Sequence, residues 1–457
     1  MTMSWNSYVR TPIPHAPFTK IHRVNVFMAM KTEIQSRKLI KPSISTPPSL
    51  RSYKISFVDE LAPSMNISLV LFFPHNTDYN PTQLEKSLEK TLTLMYPLAG
   101  RYMADVRTVD CNDQGVEFVQ AQADTTIQEI LDFKLKVDPN LINQFIPSKL
   151  LADGPTDAVL ATQLTAFECG GSALGVSIAH RIGDVSTMSA FLNQWATLSR
   201  KDAKVETGLI TSFSSFPAQD SPFIEQGFTK LNDNGYVTKK LSFDENAISN
   251  MRMKATSNGK TDNRQLFKVQ LVSALIWKAF IGVDHAIYGH SRDSVALQPT
   301  KLRQKTRSSL PRSISIGNQW GPIVTERNTT KKVELGFEDL IDLLGDSVMK
   351  TMKEYSKLGH DDSQERKEMV LKSFSQIRNI SNDRNVVWLV SWCRFPYYDV
   401  DFGFGKPEWI SCGCVPFKRG VIMVDDAGGN GVEAYVSMGV ADVRHFEQDE
   451  DIKAFSV

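Results

Sequence analysis

The hydrophobic pattern of the chain alternates between short apolar runs and longer stretches with helical spacing. Leu69–Phe73 is apolar throughout, and Leu174–Ala179 is apolar apart from one glycine and one serine. Runs of this length predict buried strands. Pro81–Met95 instead places leucines four residues apart, which predicts an amphipathic helix that is ended by Pro97 and Gly100. Strands and helices are therefore expected within the same half of the chain.

The rest of the chain shows the same two hydrophobic patterns. Further helices are predicted at Val185–Arg200, Asp244–Lys254, Leu266–Phe280 and Phe337–Leu358, and further strands at Ser52–Leu61, Val159–Phe167, Thr238–Phe243, Ser294–Leu297, Val386–Trp392, Gly420–Val424 and Gly431–Val436. Val109–Gln120 predicts a hairpin, and we interpret the charged stretch Gly359–Met369 as solvated surface or a mobile loop. This mixture in both halves predicts an α/β or α+β protein of two domains.

A length of 457 residues is large for a single hydrophobic core, which also favours two domains. Residues 205–235 scatter glycine and proline through polar sequence without a period, as is typical of a crossover between domains. We therefore predict an N-terminal domain over residues 31–204 and a C-terminal domain over residues 236–457. Residues 1–30 contain no acidic residue and no signal-peptide core, and we interpret them as a disordered extension, with a transit peptide as the alternative.

The charge balance narrows the classes of partner. The 52 basic and 51 acidic residues give a net charge of +1, so there is no electrostatic case for nucleic acid or an anionic membrane surface. No apolar run approaches the roughly 20 residues that cross a bilayer, so no membrane partner is expected. Five cysteines, an odd and sparse set, argue against a disulfide framework and for a reducing compartment. A cytoplasmic location is accordingly expected.

The stretch Ser172–Asp184 carries the strongest candidate for chemistry. Its buried strand runs directly into His180, and the helical spacing of Val185–Arg200 begins just after Asp184. A base held on rigid backbone can be aimed at a substrate, so His180 is the predicted catalytic residue, with a structural histidine as the alternative. Asp184 could share a helix face with His180, but no third histidine or cysteine lies nearby, and no metal site is predicted.

A second candidate stretch is Ser391–Pro407. Gly403 and Gly405 flank Phe404 there and follow Asp401. Glycine adopts backbone angles closed to other residues, so this pattern favours a tight turn that carries an aromatic side chain. Taken alone it is a weak signal, because turns of this composition are common.

Together the two stretches resemble the BAHD family of plant acyl-CoA-dependent acyltransferases. His180–Asp184 matches the family's H-x-x-x-D motif and Asp401–Gly405 its D-F-G-W-G motif, in the family's order. Further matching stretches are Tyr96–Arg101 (YPLAGR), Val109–Asp113 (VDCND), Phe167–Gly171 (FECGG), Val272–Lys278 (VSALIWK) and Gly431–Tyr435 (GVEAY). The resemblance covers residues 32–457 and is strongest to members that act in alkaloid metabolism.

The resemblance implies an α/β fold of the chloramphenicol acetyltransferase-like type, with two similar-sized mixed-sheet domains and an active-site channel between them. It implies a monomer that transfers an acyl group, acetyl in the most similar members, from acyl-CoA to a hydroxyl of a small plant metabolite such as an alkaloid. Acyl-CoA is then a co-substrate, and no cofactor is bound permanently. His180 would act as general base without an acyl-enzyme, and Trp392 matches the family's indole donor to the tetrahedral oxyanion.

The other residues that the resemblance selects have structural or weaker assignments. Asp184, preceded by Gly183, is expected to point away from the reaction and to pair with Arg303, although it could equally cap the helix that follows. The turn formed by Asp401, Gly403 and Gly405 is expected to support the coenzyme channel. Candidate coenzyme contacts at a predicted helix start, with solvated surface charge as the alternative, are Arg264 and Lys268.

Three positions depart from the family pattern. Phe404 stands where the family usually has tryptophan, Lys301 where relatives have asparagine, and Val390 where many relatives have threonine. These departures keep two alternatives open: a family-like binder that has lost turnover, and an enzyme that hydrolyses the acyl-CoA thioester. The intact pair of His180 and Asp184 favours the acyltransferase.

Overall fold

The structure, a computed structural model, describes residues 30–74, 80–133, 138–147, 157–200, 208–212, 216–217, 235–256, 265–302, 313–329, 335–357, 363–413, 415 and 417–457. The strands are β1 (Thr32–Ile40), β2 (Ser52–Lys54), β3 (Asn66–Phe73), β4 (Arg101–Met103), β5 (Thr108–Asp110), β6 (Val116–Ala123), β7 (Leu160–Phe167), β8 (Ser172–Ala179), β9 (Gly208–Thr211), β10 (Tyr236–Phe243), β11 (Ser294–Lys301), β12 (Ser313–Ile316), β13 (Trp320–Arg327), β14 (Asn385–Ser391), β15 (Trp409–Ser411), β16 (Gly420–Asp425) and β17 (Val432–Gly439). The helices are α1 (Phe57–Leu61), α2 (Pro81–Leu94), α3 (Ile127–Phe133), α4 (Pro139–Ile142), α5 (Val185–Ser199), α6 (Glu245–Thr256), α7 (Lys268–Tyr288), α8 (Phe337–Lys357), α9 (Ser363–Arg378), α10 (Val443–Phe446) and α11 (Glu450–Phe455).

The first of two six-stranded sheets has the order β1-β6-β7-β8-β3-β15. Its inner strands β3 and β8 pair antiparallel, and β8 is buried along its whole length. Burial of both faces explains why these strands are continuous apolar runs rather than alternating ones. Helices α2 and α5 contribute Leu88, Leu92 and Trp195 to the core of this sheet. The residue that follows β8 is therefore attached to a fully buried strand that is paired on both sides.

The second six-stranded sheet has the order β10-β17-β16-β14-β11-β13. Strand β14 runs parallel to both of its neighbours, β11 and β16. Helix α7 packs on this sheet, and its fully buried Trp277 donates through its indole N–H to Ser294 Oγ at 2.8 Å. The resulting core is separate from that of the first sheet.

Among the described residues, α7 is the one helix long and apolar enough to cross a membrane by length and composition. Most of its apolar window is buried within the protein, against the second sheet. Its apolarity is therefore accounted for by its place in the core.

The C-terminal half contributes the edge strand β15 to the first sheet, where it pairs antiparallel with β3. Trp409 of β15 stacks on Phe72 with 4.8 Å between ring centroids. Its indole N–H donates to Glu433 Oε2 on β17 at 2.8 Å, and Glu433 in turn pairs with Lys240 Nζ at 3.2 Å. A buried polar link therefore connects the two sheets.

Most of the predicted crossover, residues 205–235, lies outside the described residues, as do almost all of residues 1–30. The described piece Gly208–Thr211 forms β9, which pairs parallel with β12. The predicted domain boundaries stay predictions. All four helices predicted beyond residue 180 are confirmed as α5 to α8, with α7 extending further than expected, to Tyr288.

The strand predicted at Ser52–Leu61 is wrong beyond Lys54, because α1 begins at Phe57. Ser56 caps this helix, since its hydroxyl accepts the backbone N–H of Asp59 at 3.1 Å. The Asp59 carboxylate returns the bond by accepting the Ser56 N–H at 2.8 Å, which completes a capping box. Reciprocal capping is what allows so short a helix to interrupt the extended chain.

The hairpin predicted at Val109–Gln120 is also wrong. Strand β5 pairs with β2 and β4, whereas β6 pairs with β1 and β7 in the first sheet. The connecting residue Asp113 is held by Thr46, whose backbone N–H and hydroxyl donate to its carboxylate at 2.8 and 2.6 Å. These contacts direct the two strands into different sheets.

The stretch interpreted as solvated surface or a loop, Gly359–Met369, contains the start of helix α9 at Ser363. Residues 359–362 lie outside the described part of the chain. Val370 and Phe374, one helical turn apart, are buried, and Phe374 contacts Trp320 at the start of β13 with 5.1 Å between ring centroids. The charged residues that suggested a loop form the first turns of a helix whose apolar face lies further along.

Candidate active site

His180 follows β8 directly and is held there through its backbone. Its N–H donates to the carbonyl oxygen of Met65 at 2.8 Å, which continues the pairing of β8 with β3 beyond Ala179. The chain then turns, because the N–H groups of Ile182 and Gly183 both donate back to the Ala179 carbonyl, at 2.9 and 3.2 Å. A side chain at Gly183 would approach Thr187 Cγ2 to 2.7 Å, so the turn requires glycine.

The imidazole of His180 lies in a protected, partly aromatic environment. Its ring centroid is 6.2 Å from that of Trp320. Burial lowers the pKa of His180 below its ordinary value, although the neighbouring backbone and the Asp184 carboxylate act in the opposite direction. A neutral imidazole at neutral pH is the form that accepts a proton, as a general base must.

Asp184 caps helix α5. Its Oδ1 accepts the backbone N–H of Thr187 at 3.0 Å, the contact expected of an N-cap aspartate. Its Oδ2 accepts the backbone N–H of Gln319 at 3.1 Å. Arg303, the predicted ion-pair partner, lies outside the described residues, so that pairing stays a prediction.

The segment Gly317–Trp320, which the sequence analysis did not single out, crosses the histidine loop. The Thr187 hydroxyl bonds to the backbone of Gly317, and the Asn318 side chain donates to the carbonyl oxygen of His180 at 2.6 Å. Gly317 has a positive φ of 102°, and a Cβ there would approach Ser212 Oγ to 1.9 Å. The sequence shows a glycine–asparagine pair shortly before a strand at this point. An uncharged amide neither titrates nor acts as a nucleophile, so this pair does not stand out as a candidate site.

Asp59 is another candidate functional residue, besides the Gly317–Trp320 segment, that the sequence analysis missed. Its carboxylate is completely buried and accepts bonds from the Ser56 and Ser212 hydroxyls at 2.7 and 2.6 Å and from the Asn318 amide at 2.8 Å. Burial raises its pKa, and the hydrogen bonds from Ser212, Ser56 and Asn318 oppose that rise. The mistaken strand at Ser52–Leu61 concealed it, because the capping box that buries Asp59 exists only when helix α1 is present.

Trp392 follows β14, and its backbone N–H donates to the carbonyl oxygen of Met423 at 2.7 Å. The side chain is buried in the same hydrophobic core as Ile182 and Met188, which flank Asp184 in the sequence. The end of β14 and the histidine loop therefore pack on a common core. Its assignment as an oxyanion donor stays a prediction.

The predicted tight turn after Asp401 is present. Asp401 Oδ1 accepts the backbone N–H groups of Gly403 and Gly405 at 2.8 and 3.1 Å, and these glycines have φ values of 104° and 106°. Phe402 is buried against Trp195 of α5, with 5.1 Å between ring centroids. The turn is thereby attached to the helix that Asp184 caps.

The model of the Transferase family matches residues 30–452. The chain belongs to the BAHD family of acyl-CoA-dependent acyltransferases.

Relatives of this BAHD acyltransferase match it over nearly their whole length. Pelargonidin 3-O-(6-caffeoylglucoside) 5-O-(6-O-malonylglucoside) 4'''-malonyltransferase of Salvia splendens is 33% identical, over 92% of this chain and 98% of that protein. Vinorine synthase of Rauvolfia serpentina is 33% identical, over 90% and 95%. Stemmadenine O-acetyltransferase of Catharanthus roseus is 31% identical, over 92% and 97%.

The crystal structure of vinorine synthase superposes on this BAHD acyltransferase with a TM-score of 0.77 and 30% identity, over 93% of this chain and 98% of that one. The α/β fold class of the chloramphenicol acetyltransferase-like type, predicted from the motifs, is confirmed. The enzyme class is confirmed with it.

Lys268, one of the two residues predicted to contact the coenzyme, has a structural role in this chain. Lys268 Nζ pairs with Asp425 at 2.7 Å and donates to the carbonyl oxygens of Gly429 and Gly431 at 2.6 and 2.9 Å. An ammonium group has three donors, and these contacts use all of them. Lys268 therefore holds the β16–β17 turn, and we leave it out of the proposed coenzyme contacts. Arg264 lies outside the described residues.

Two of the departures from the BAHD pattern, Phe404 and Lys301, make aromatic contacts in this chain. Phe404 packs edge-on against Phe73, with 5.2 Å between ring centroids, and stacks on Phe402 at 5.8 Å. A phenyl ring fills this space without the indole N–H of the usual tryptophan. Lys301 Nζ lies 3.3 Å from the ring centroid of Phe395, a cation–π contact that asparagine would not make.

Proposed function

We propose that this enzyme transfers an acetyl group from acetyl-CoA to a hydroxyl group of a plant specialised metabolite of the alkaloid class. The observation that carries the proposal is the placement of His180, a histidine of lowered pKa fixed at the end of a buried strand. An alcohol is a poor nucleophile and a thioester is already activated, so proton removal during attack is the help the reaction needs.

In the proposed mechanism, His180 takes the proton of the acceptor hydroxyl as its oxygen attacks the thioester carbonyl. The carbon–oxygen bond forms, and the indole N–H of Trp392 donates to the oxyanion of the tetrahedral intermediate. The carbon–sulfur bond then breaks, and the imidazolium returns its proton to the leaving thiolate. The acyl group passes directly to the acceptor, so no serine or cysteine nucleophile is assigned.

The acceptor side is proposed to be apolar. Trp320 stands beside the His180 ring and belongs to a buried cluster that is mostly aromatic and aliphatic. The other buried members of this cluster are Phe57, Val58, Leu61, Phe216, Leu302, Tyr355, Val370 and Phe374. The apolar ring beside the base suits a largely apolar acceptor, and the names of vinorine synthase and stemmadenine O-acetyltransferase support an alkaloid.

The acetyl donor is supported by the name of stemmadenine O-acetyltransferase, whereas the Salvia splendens relative is named as a malonyltransferase. Malonyl carries an additional carboxylate, which needs a cation or several hydrogen-bond donors when buried. We propose acetyl over malonyl, and a monomer in the cytoplasm that needs neither nucleic acid nor membrane.

The test is the release of free coenzyme A thiol from acetyl-CoA and, separately, from malonyl-CoA, with and without a fraction of plant alkaloids. Mass spectrometry of the same reactions identifies the acylated product. The proposal predicts thiol release that requires the acceptor and is faster with acetyl-CoA. Release without an acceptor favours a hydrolase, and coenzyme binding without release favours an inactive binder.

A further inference from the structure

The side-chain amide of Asn318 is completely buried and bonded at both ends. Its Nδ2 donates to the carbonyl oxygen of His180 at 2.6 Å and to Asp59 Oδ1 at 2.8 Å. Its Oδ1 accepts the indole N–H of Trp320 at 3.1 Å. Carbonyl and carboxylate oxygens accept and an indole only donates, so a single orientation of the amide satisfies all three partners.

The backbone of His180 carries the contacts that fix its position in the loop. Among the described residues, none forms a hydrogen bond with its Nδ1. Its backbone, in contrast, is held on both sides, because the N–H donates to Met65 and the carbonyl oxygen accepts the Asn318 amide. A displacement of that carbonyl would therefore move the imidazole with it.

Asp59 holds Asn318 in place. Besides the side-chain bond, its Oδ1 accepts the backbone N–H of Asn318 at 2.5 Å. Its Oδ2 is fixed by Ser56, within the capping box of α1, and by Ser212 beyond strand β9. The amide that reaches His180 is thus anchored to segments from distant parts of the chain.

The same amide also sets the place of Trp320. The indole that donates to Asn318 Oδ1 has its ring centroid 6.2 Å from that of His180. One side chain therefore fixes both the backbone of the base and the aromatic ring beside it, which is the proposed acceptor side.

We propose that Asn318 is a positioning residue for acyl transfer, which aims His180 at the acceptor hydroxyl by holding the His180 carbonyl and the Trp320 indole with one amide. The inference rests on the proposed function of His180. A misplacement of about 1 Å at a catalytic group costs on the order of 100-fold in rate. Loss of the amide is therefore expected to reduce kcat by about 10- to 100-fold, with the KM for acyl-CoA changed less than about threefold.

The test compares Asn318→Ala and Asn318→Asp with the wild-type enzyme. The aspartate is close in size and still accepts the Trp320 indole, but it lacks the amide N–H groups that donate to His180 and Asp59. Asn385→Ala is the matched control, because Asn385 of β14 is also buried and its amide joins the Phe280 carbonyl of α7 to Arg419 at 3.3 and 2.9 Å. Melting temperature and kcat are measured for each variant.

A double variant separates positioning from folding. Asp59→Asn combined with Asn318→Asp exchanges the carboxylate and the amide, so a hydrogen bond between positions 59 and 318 can form again with reversed polarity. The bond to the His180 carbonyl cannot form, because a carboxylate would face it. The double variant should recover part of the melting temperature lost in Asn318→Asp and none of the lost kcat.

We expect the Asn318 variants to lose kcat while Asn385→Ala loses melting temperature and keeps kcat within about twofold of wild type, as is usual for a change away from the reacting groups. The proposal is overturned if folded Asn318 variants keep wild-type kcat, or if the exchanged double variant regains kcat together with melting temperature. If Asn318→Ala and Asn318→Asp do not fold, the double variant alone decides between these outcomes. A wild-type enzyme that transfers no acyl group would defeat the proposed function, whereas an active wild type with unaffected variants would defeat only this inference.

Discussion

Gln319 and Asp184, 135 residues apart in the chain, meet at the histidine loop, where the backbone N–H of Gln319 donates to Asp184 Oδ2 at 3.1 Å. The other carboxylate oxygen caps helix α5 through Thr187. Asp184 therefore connects the loop that carries His180 to the Gly317–Trp320 segment, which leads into β13. We expect Asp184 to act on activity mainly by stabilising that loop.

Replacing Asp184 should consequently reduce stability. Asp184→Ala removes the helix cap and leaves the Gln319 N–H without its acceptor, and it also removes the predicted partner of Arg303. We expect the free energy of unfolding to fall by about 3–5 kcal/mol, the usual cost of breaking a buried pair. Urea unfolding measures this directly, with Asp184→Asn as the control that retains a capping side chain. A loss of about 1 kcal/mol would indicate a cap alone and contradict the pairing with Arg303.

The two aromatic residues of the Asp401 turn should differ in their effect. Phe402 is completely buried against Trp195, whereas Phe404 is only partly buried. Phe402→Ala should lower the free energy of unfolding by about 3–5 kcal/mol, as for other buried phenylalanines, and Phe404→Ala by less. Denaturant midpoints of the two variants test the order. Equal losses would show that the turn is held by something other than the packing of Phe402.

The buried link between the sheets gives another prediction. Glu433 accepts the Trp409 indole and pairs with Lys240, and both charged side chains are nearly inaccessible to solvent, at 7% and 2% exposure. Glu433→Gln preserves the shape but removes the charge opposite Lys240, which should cost about 3–5 kcal/mol. Glu447→Gln, which affects the exposed pair with Lys239, is the control and should cost less than about 1 kcal/mol. Similar effects in thermal unfolding would contradict a buried ionic link.

The lowered pKa of His180 predicts a direction for pH dependence. Because the neutral ring is the base, kcat/KM should be level near neutrality and fall only as the pH drops through a pKa below about 6.5. The unfolded chain takes up this proton more readily, so the associated stability is present above about pH 6.5 and is lost as the pH falls through the folded-state pKa. A pH–rate profile whose acid limb is centred above pH 7 would contradict this reading.

Sequence reasoning located His180 because the period of the apolar residues changes from a buried strand to a helix at that point. It also located the Asp401 turn, because paired glycines restrict what the backbone can do there. It did not find Asp59, Asn318 or Trp320, whose importance comes from contacts between residues far apart in the chain. Their side chains acquire a role only when the Gly317–Trp320 segment is brought across the histidine loop.

The errors in the predicted secondary structure have a similar origin. Helix α1 depends on reciprocal hydrogen bonds between Ser56 and Asp59, a local signal hidden within an extended pattern. Strand β15 is only three residues long and is stabilised by stacking of Trp409 on Phe72 from the other half of the chain. Such short elements exist because of tertiary contacts, and a hydrophobic period cannot show them.

The central claim, that His180 is the base for acyl transfer, is tested most directly by acceptor-dependent thiol release from acetyl-CoA in His180→Ala. His290→Ala is the matched control, because His290 is exposed and its ring bonds only to the nearby Tyr288 carbonyl among the described residues. The account predicts that folded His180→Ala loses about 10²- to 10⁴-fold in kcat while His290→Ala retains wild-type turnover. Wild-type turnover in a well-folded His180→Ala enzyme would contradict it.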